Sequence, residues 1–185
     1  MQLTGNLGNG IFVHAGPLPT DAGGAISGGL SALLLPKGSC LLANNIVDGS
    51  RGNNLELLNV SPDVLDNTLV NAGSVGMLVH GVLAEPTLGP GNKVSGSKLS
   101  GIEIQDQAKL RLGAAASGAK DTAPSLLEGN QAYGVYVHEG AATIPALSAP
   151  GLIKLLKLDG NVKGEFLLKA AAAMKAQAEA DRKKK

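Results

Sequence analysis

The chain has 185 residues, 44% of them apolar, and a formal charge of +1 from 16 basic and 15 acidic side chains. That length fits one domain with its own core. The apolar share excludes a disordered chain, and the lone Cys40 excludes an intramolecular disulfide framework. Glycine reaches 26 residues without the period of three that collagen needs, and the aromatics are Phe12, Tyr133, Tyr136 and Phe166.

Charge is unevenly placed. Residues 1–150 carry 7 basic and 11 acidic groups, a net of −4, and residues 151–185 carry 9 and 4, a net of +5. A mildly acidic body with a basic C-terminal arm suits docking on an acidic surface. The opening Met1-Gln2-Leu3-Thr4-Gly5-Asn6 lacks both the basic start and the apolar stretch of a secretory signal. No apolar run approaches a membrane span. The expectation is a soluble chain made in the cytoplasm.

Along the chain, Ile11-Phe12-Val13 predicts a first short strand, followed by breakers at Pro17, Pro19, Gly23-Gly24 and Gly28-Gly29. Leu30–Leu35 is an apolar run stopped by Pro36, and Pro36-Lys37-Gly38 reads as a turn. Ser39–Ala43 predicts a strand closed by Asn44-Asn45, and Leu55–Val60 alternates like a half-buried strand. Ser61-Pro62 could cap and start one helical turn over Ser61–Asp66. Val75–Leu83 is the best strand candidate, and Glu85–Gly101, rich in Pro and Gly, reads as a long surface loop. Gly101–Gln105 and Ala108–Leu112 alternate with period two, which makes a hairpin about Asp106-Gln107 possible. Gly113–Ser125 reads as loop, Val135–His138 as a strand, and Leu152–Leu158 as a further apolar run.

Past residue 160 the pattern changes. Val162, Phe166, Ala170, Met174 and Ala178 recur at the spacing of one helical face, within an alanine-rich stretch ending in Lys183-Lys184-Lys185. The reading is therefore a mainly β chain. A β-rich body at 1–160 would be a small barrel or sandwich with long Gly/Pro loops, and 161–185 an amphipathic helix with a basic end. Something must cover that helix's stripe, since an isolated alanine-rich helix is marginal in water. Phe166, Met174, Val162 and Ala170 are the expected assembly contacts.

All three histidines share one local frame. They close Gly10-Ile11-Phe12-Val13-His14, Gly76-Met77-Leu78-Val79-His80 and Gly134-Val135-Tyr136-Val137-His138. Gly5-Asn6 and Gly129-Asn130 precede the first and third at the same offset. The recurrence suggests a repeated strand-plus-turn unit whose histidines end strands. A metal-binding module using His14, His80 and His138 is the alternative. Other chemistry is thin. Gly5–Gly10 precedes a strand and not a helix, so it lacks the phosphate-binding context. Asp63 with Asp66 and Glu103 with Asp106 read as solvated carboxylates, and Cys40 as a small buried hydrophobe. The expectation is no enzyme activity, no catalytic residue, no cofactor and no bound metal. Exposed aromatics among basic residues are missing, which argues against specific nucleic-acid binding.

Gly38-Ser39-Cys40-Leu41-Leu42 and Asn71–Leu83, with its glycine-led Val75-Gly76-Met77-Leu78-Val79, resemble the small β-rich decoration, or cement, proteins of tailed-phage capsids. The resemblance covers about residues 30–90. It implies a homotrimer on the virion surface that bridges neighbouring copies of the major capsid protein, with no catalytic residues to carry over. A β-solenoid or fibre-like tail or adhesin component is the alternative, motivated by Gly/Asn turns and short aliphatic strands, though no short, steady period stands out.

Overall fold

The computed structural model describes residues 1–14, 30–31, 40–113, 123–145 and 155–168. The chain winds as a β-solenoid in which successive turns lay one strand on each of three parallel sheets. The first rung contains β1 (Gln2–Thr4), β2 (Ile11–His14), β3 (Leu30–Ser31) and β4 (Leu41–Ala43). The second contains β5 (Ile46–Asp48), β6 (Leu55–Leu58) and β7 (Asp63–Leu65), and the third β8 (Thr68–Val70), β9 (Met77–His80) and β10 (Thr87–Leu88). The fourth contains β11 (Lys93–Ser95), β12 (Ile102–Ile104) and β13 (Lys109–Leu112), and the fifth β14 (Ser125–Glu128), β15 (Tyr133–Val137) and β16 (Ala142–Ile144). The last rung adds β17 (Leu156–Asp159) and β18 (Gly164–Leu168).

The first sheet runs β1-β5-β8-β11-β14-β17, the second β3-β2-β6-β9-β12-β15-β18 and the third β4-β7-β10-β13-β16. Every described pairing is parallel. The mainly β expectation holds. The sheets, however, are open stacks, not a closed barrel or two packed antiparallel layers. Rungs two to four advance by 22 residues (Ile46 to Thr68) and 25 (Thr68 to Lys93), then the next two by 33 (Lys93 to Leu126) and 31 (Leu126 to Lys157). The longer rungs interrupt the period that sequence inspection looks for.

Parallel stacking also explains the corrected elements. Ser61–Asp66 is no helical turn: Asp63–Leu65 is β7, held between β4 and β10. The supposed loop Glu85–Gly101 contains β10 and β11, strands too short to show alternation. The stretches on either side of Asp106-Gln107 are strands, yet they belong to different sheets. Asp106 and Gln107, at φ 55° and 64°, turn the chain between faces and form no hairpin. Of the expected helix, Val162 lies in an exposed turn and Phe166 in β18. Ala170 and Met174 lie outside the described residues, as do Pro36–Gly38. No helix among the described residues is long and apolar enough to cross a membrane.

The interior is built from columns of aliphatic side chains, one per rung. Leu55, Met77, Ile102 and Val135 stack in register in the second sheet, and Val47, Leu69, Val94 and Leu127 in the first, all essentially inaccessible to water. Corners between the first and second sheets repeat one left-handed residue per rung: Gly5, Gly49, Asn71, Gly96, Gly129 and Gly160, at φ between 56° and 72°. Glycine and asparagine tolerate that region best, which accounts for the recurrent Gly-Asn pairs. The glycine opening each histidine motif has a different cause. A Cβ on Gly76 would overlap Val94 Cγ1 and Gly101 O, and one on Gly134 would lie 2.6 Å from Glu165 O.

Buried asparagines satisfy the corners where backbone amides lose their ladder partners. Asn67 Oδ1 accepts from the Asn45 amide at 3.0 Å and from Asn45 Nδ2 at 2.9 Å, while Asn67 Nδ2 donates to Leu42 O and Leu65 O. Asn92 Oδ1 accepts from the Asn67 amide in turn, and Asn92 Nδ2 donates to Val64 O and Gly89 O. A second ladder runs from the Ser97 amide to Asn130 Oδ1 and from Asn130 Nδ2 to Asn161 Oδ1. Removing such a side chain strands several buried polar groups at once, each costing about 1–3 kcal/mol.

Asn67→Ala should therefore destabilise the protein at least as much as the core truncation Leu57→Ala, which should cost about 2–5 kcal/mol. The exposed Lys98→Ala should stay within about 0.5 kcal/mol. Urea unfolding of the three variants against the parent measures this.

Candidate functional site: the histidine face

Titratable side chains concentrate on the outer face of the second sheet, where two outward columns run across the rungs. The first holds Phe12, Glu56, Leu78, Glu103, Tyr136 and Leu167, and the second begins His14, Leu58, His80. Gln105 and His138 continue it immediately after β12 and β15. The face therefore alternates. Through the fifth rung, odd rungs carry an apolar or aromatic residue followed by histidine, and even rungs carry glutamate followed by Leu58 or Gln105; the sixth carries Leu167 in place of a glutamate. The three-histidine recurrence is real, but it marks every second rung.

That spacing decides the metal question. Register places Leu58 between His14 and His80. Neighbouring strands lie about 4.8 Å apart, so the two histidine backbones are about 10 Å apart. His14 and His138, four spacings apart, stand about 19 Å from each other, too far for two imidazoles that must each bring a nitrogen within about 2 Å of one ion. Among the described residues no group of three or more His, Cys, Asp or Glu side chains could hold a metal. The metal-module alternative built on His14, His80 and His138 is corrected accordingly.

Each even-rung glutamate instead meets the histidine of the next rung on the diagonal. His80 Nε2 lies 3.1 Å from Glu56 Oε1, and His138 Nε2 lies 3.2 Å from Glu103 Oε2. Glu56 is further held by Asn9 Nδ2 at 2.6 Å and Asn53 Nδ2 at 2.8 Å, so one carboxylate ties three rungs together. Ser100 donates its hydroxyl to Glu103 at 2.9 Å. Asp106 stands 3.8 Å from the other nitrogen of His80. The rings stack along the strand, Tyr136 on His138 at 4.0 Å and Phe12 on His14 at 5.3 Å.

The hydrogen bond from His80 holds the Glu56 carboxyl below the usual carboxylate range; burial opposes this, and Asn53, the His80 charge and Asn9 add to the lowering. Cys40 is half-buried, and that burial pushes its thiol up, away from the reactive thiolate. Elsewhere Lys93 pairs with Glu128 at 2.8 Å and Arg111 with Glu85. Asp63 opens β7 and is buried, while Asp66 follows the strand and is exposed, so they form no carboxylate pair facing a common point.

Sequence reasoning found the histidines and missed Glu56 and Glu103 as their partners. The signal was present: each glutamate sits two residues before the position equivalent to the next rung's histidine. It becomes visible only once the irregular rung length is known. No protein-family model, no curated protein and no solved structure matches the chain.

A carboxyl whose folded pKa is depressed adds stability above its unfolded pKa and loses it as pH falls through the folded value. The Glu56 contribution should be full near neutrality and disappear below about pH 4, where the unfolded carboxyl also protonates. Glu56→Gln should flatten the stability–pH curve in that acid window compared with the parent. Urea midpoints measured across pH 3 to 7 on both proteins test the sign.

Proposed function

We propose that the protein is a non-enzymatic structural element, a rigid solenoid segment of a fibre, tail or adhesin-like assembly. One observation carries the reading: Glu56 with His80, and Glu103 with His138, are engaged in joining one rung to the next. Glu56, which a hydrolytic site would want unencumbered, is bound by Asn9, Asn53 and His80 from three rungs. A rod whose polar groups reinforce its own stacking suits mechanical and adhesive work.

Capsid decoration is the narrower proposal. On it, the chain forms a homotrimer on the virion shell and contacts the major capsid protein, without a cofactor, a membrane or specific nucleic acid. Of the two segments that carry the resemblance, Asn71–Leu83 contains the third rung's corner and β9, and Leu41-Leu42 of the other lies in β4. The helix expected over 161–185 gives way to β18 at Gly164–Leu168, and only its alanine-rich remainder stays part of the same proposal.

Immunogold microscopy with antibody against the purified chain separates these readings in particles or cells that produce it. Label along a tail or surface fibre supports the solenoid-fibre reading, and label over the capsid shell supports decoration. Label confined to the soluble fraction overturns both. Light scattering should give three chains per particle if the trimer is correct.

A further inference from the structure

The two corners that flank the second sheet are unlike. On the corner between the first and second sheets, the amides of Arg51, Gly73, Lys98, Gln131 and Val162 each donate to a carbonyl of the preceding rung, so these residues stack in one column. Arg51, Lys98 and Lys163 are exposed there on rungs two, four and six, about 10 Å from one to the next. Among the described residues none of the three makes an ion pair. Leu99 and Val162 stand beside them, 46% and 67% exposed.

The corner between the second and third sheets carries the opposite charge. Its third rung presents Val82 and Leu83, 62% and 65% exposed, its fourth Asp106 and its fifth Glu139. The nearest bases, Lys109 and Arg111, belong to the third sheet, and Arg111 is paired with Glu85. The apolar tip is firmly held from the rung below. The Leu83 amide donates to Asn59 Oδ1 at 3.2 Å, and the Glu85 amide donates to Ser61 Oγ at 3.0 Å. Apolar side chains on a fixed backbone lose little freedom on contact.

We propose that a second copy of this chain docks side by side with the first, the basic ridge of one on the Val82-Leu83 and acidic ridge of the next. This deepens the structural reading above and rests on it. Rotation about an axis parallel to the rod keeps equal rungs level and closes a head-to-tail contact of this kind into a ring. Level rungs set Lys98 against Asp106, both on the fourth. They leave Lys163 one strand spacing from Glu139, within a lysine's reach, and Leu99 one spacing from Val82-Leu83. Exposed charges fix partner and register more than affinity, and the apolar tips supply the contact. A long polyanion fits the basic ridge less well. Asp48, Glu128 and Asp159 end the first-sheet strands just before that corner and would repel it.

Sedimentation of the full chain over a range of concentrations, at low and high salt, tests the docking. Association of the parent should be concentration-dependent and should weaken at high salt. Lys163→Glu and Glu139→Lys should each weaken it about tenfold, and the double variant, with the charges exchanged, should return to within about threefold of the parent. Leu83→Asp should abolish it, with circular dichroism unchanged; if that variant unfolds, the charge exchange still decides. A parent that stays a single chain at every concentration overturns the proposal. So does a double variant no better than the single ones, or a folded Leu83→Asp that still associates. Retention of the parent on heparin, lost in Lys163→Glu and without self-association, also overturns it, because the basic ridge then serves a polyanion. Sedimentation reads docking alone and immunogold position reads the structural role, so the failure of one is distinguishable from the failure of the other.

Discussion

Each rung of this protein can bury its inward side chains only against the rung before and the rung after. Leu55, Met77, Ile102 and Val135 reach complete burial because each stands between equivalents one strand spacing away. Three inward faces meeting around one axis leave no separate hydrophobic layer that could form first and recruit the rest. Stability is therefore a sum of rung–rung interfaces, each worth having only when its neighbours are in place. Strands of two to five residues, too short to persist alone, are held by this repetition.

The same constraint shaped the polar groups. A turn of solenoid has three corners, and each corner removes backbone amides from the ladders. Asn67, Asn92, Asn130 and Asn161 replace the missing partners from the side-chain level, passing hydrogen bonds parallel to the axis while the sheets do so at their faces. Glu56 and Glu103 extend the device to the outside of the second sheet. Backbone, buried amides and surface carboxylates all run in the one direction in which the protein must resist separation.

How much of this could be read from the residues depended on how local the cause was. Ile11–Val13, Leu55–Leu58 and Met77–His80 were legible because alternation over four residues suffices to mark a half-buried strand. The Gly-apolar-apolar-Val-His frame was legible as a repeat, since steric closeness fixes the glycine and an inward column fixes the valine. Thr87–Leu88 and Lys93–Ser95 were not, because two or three residues between prolines and glycines carry no period. Asp106-Gln107 misled for a physical reason: a tight turn between alternating segments looks the same whether the chain reverses or rounds a corner. Only pairing with residues 25 and 33 positions away, as Ile102 pairs with Met77 and Val135, distinguishes the two. Glutamate partners of the histidines were hidden by the same irregular rung length.

The alternation of glutamate rungs with histidine rungs has a consequence for how such a chain can change its length. Deleting the single rung between β6 and β12 would remove His80, bring Glu56 beside Glu103 and leave Glu56 without its histidine, setting like charges on adjacent strands. Removing or duplicating two rungs together restores the pattern unbroken. The heritable unit of this architecture is thus a pair of turns, and lineages that lengthened or shortened the rod should differ by even numbers of them.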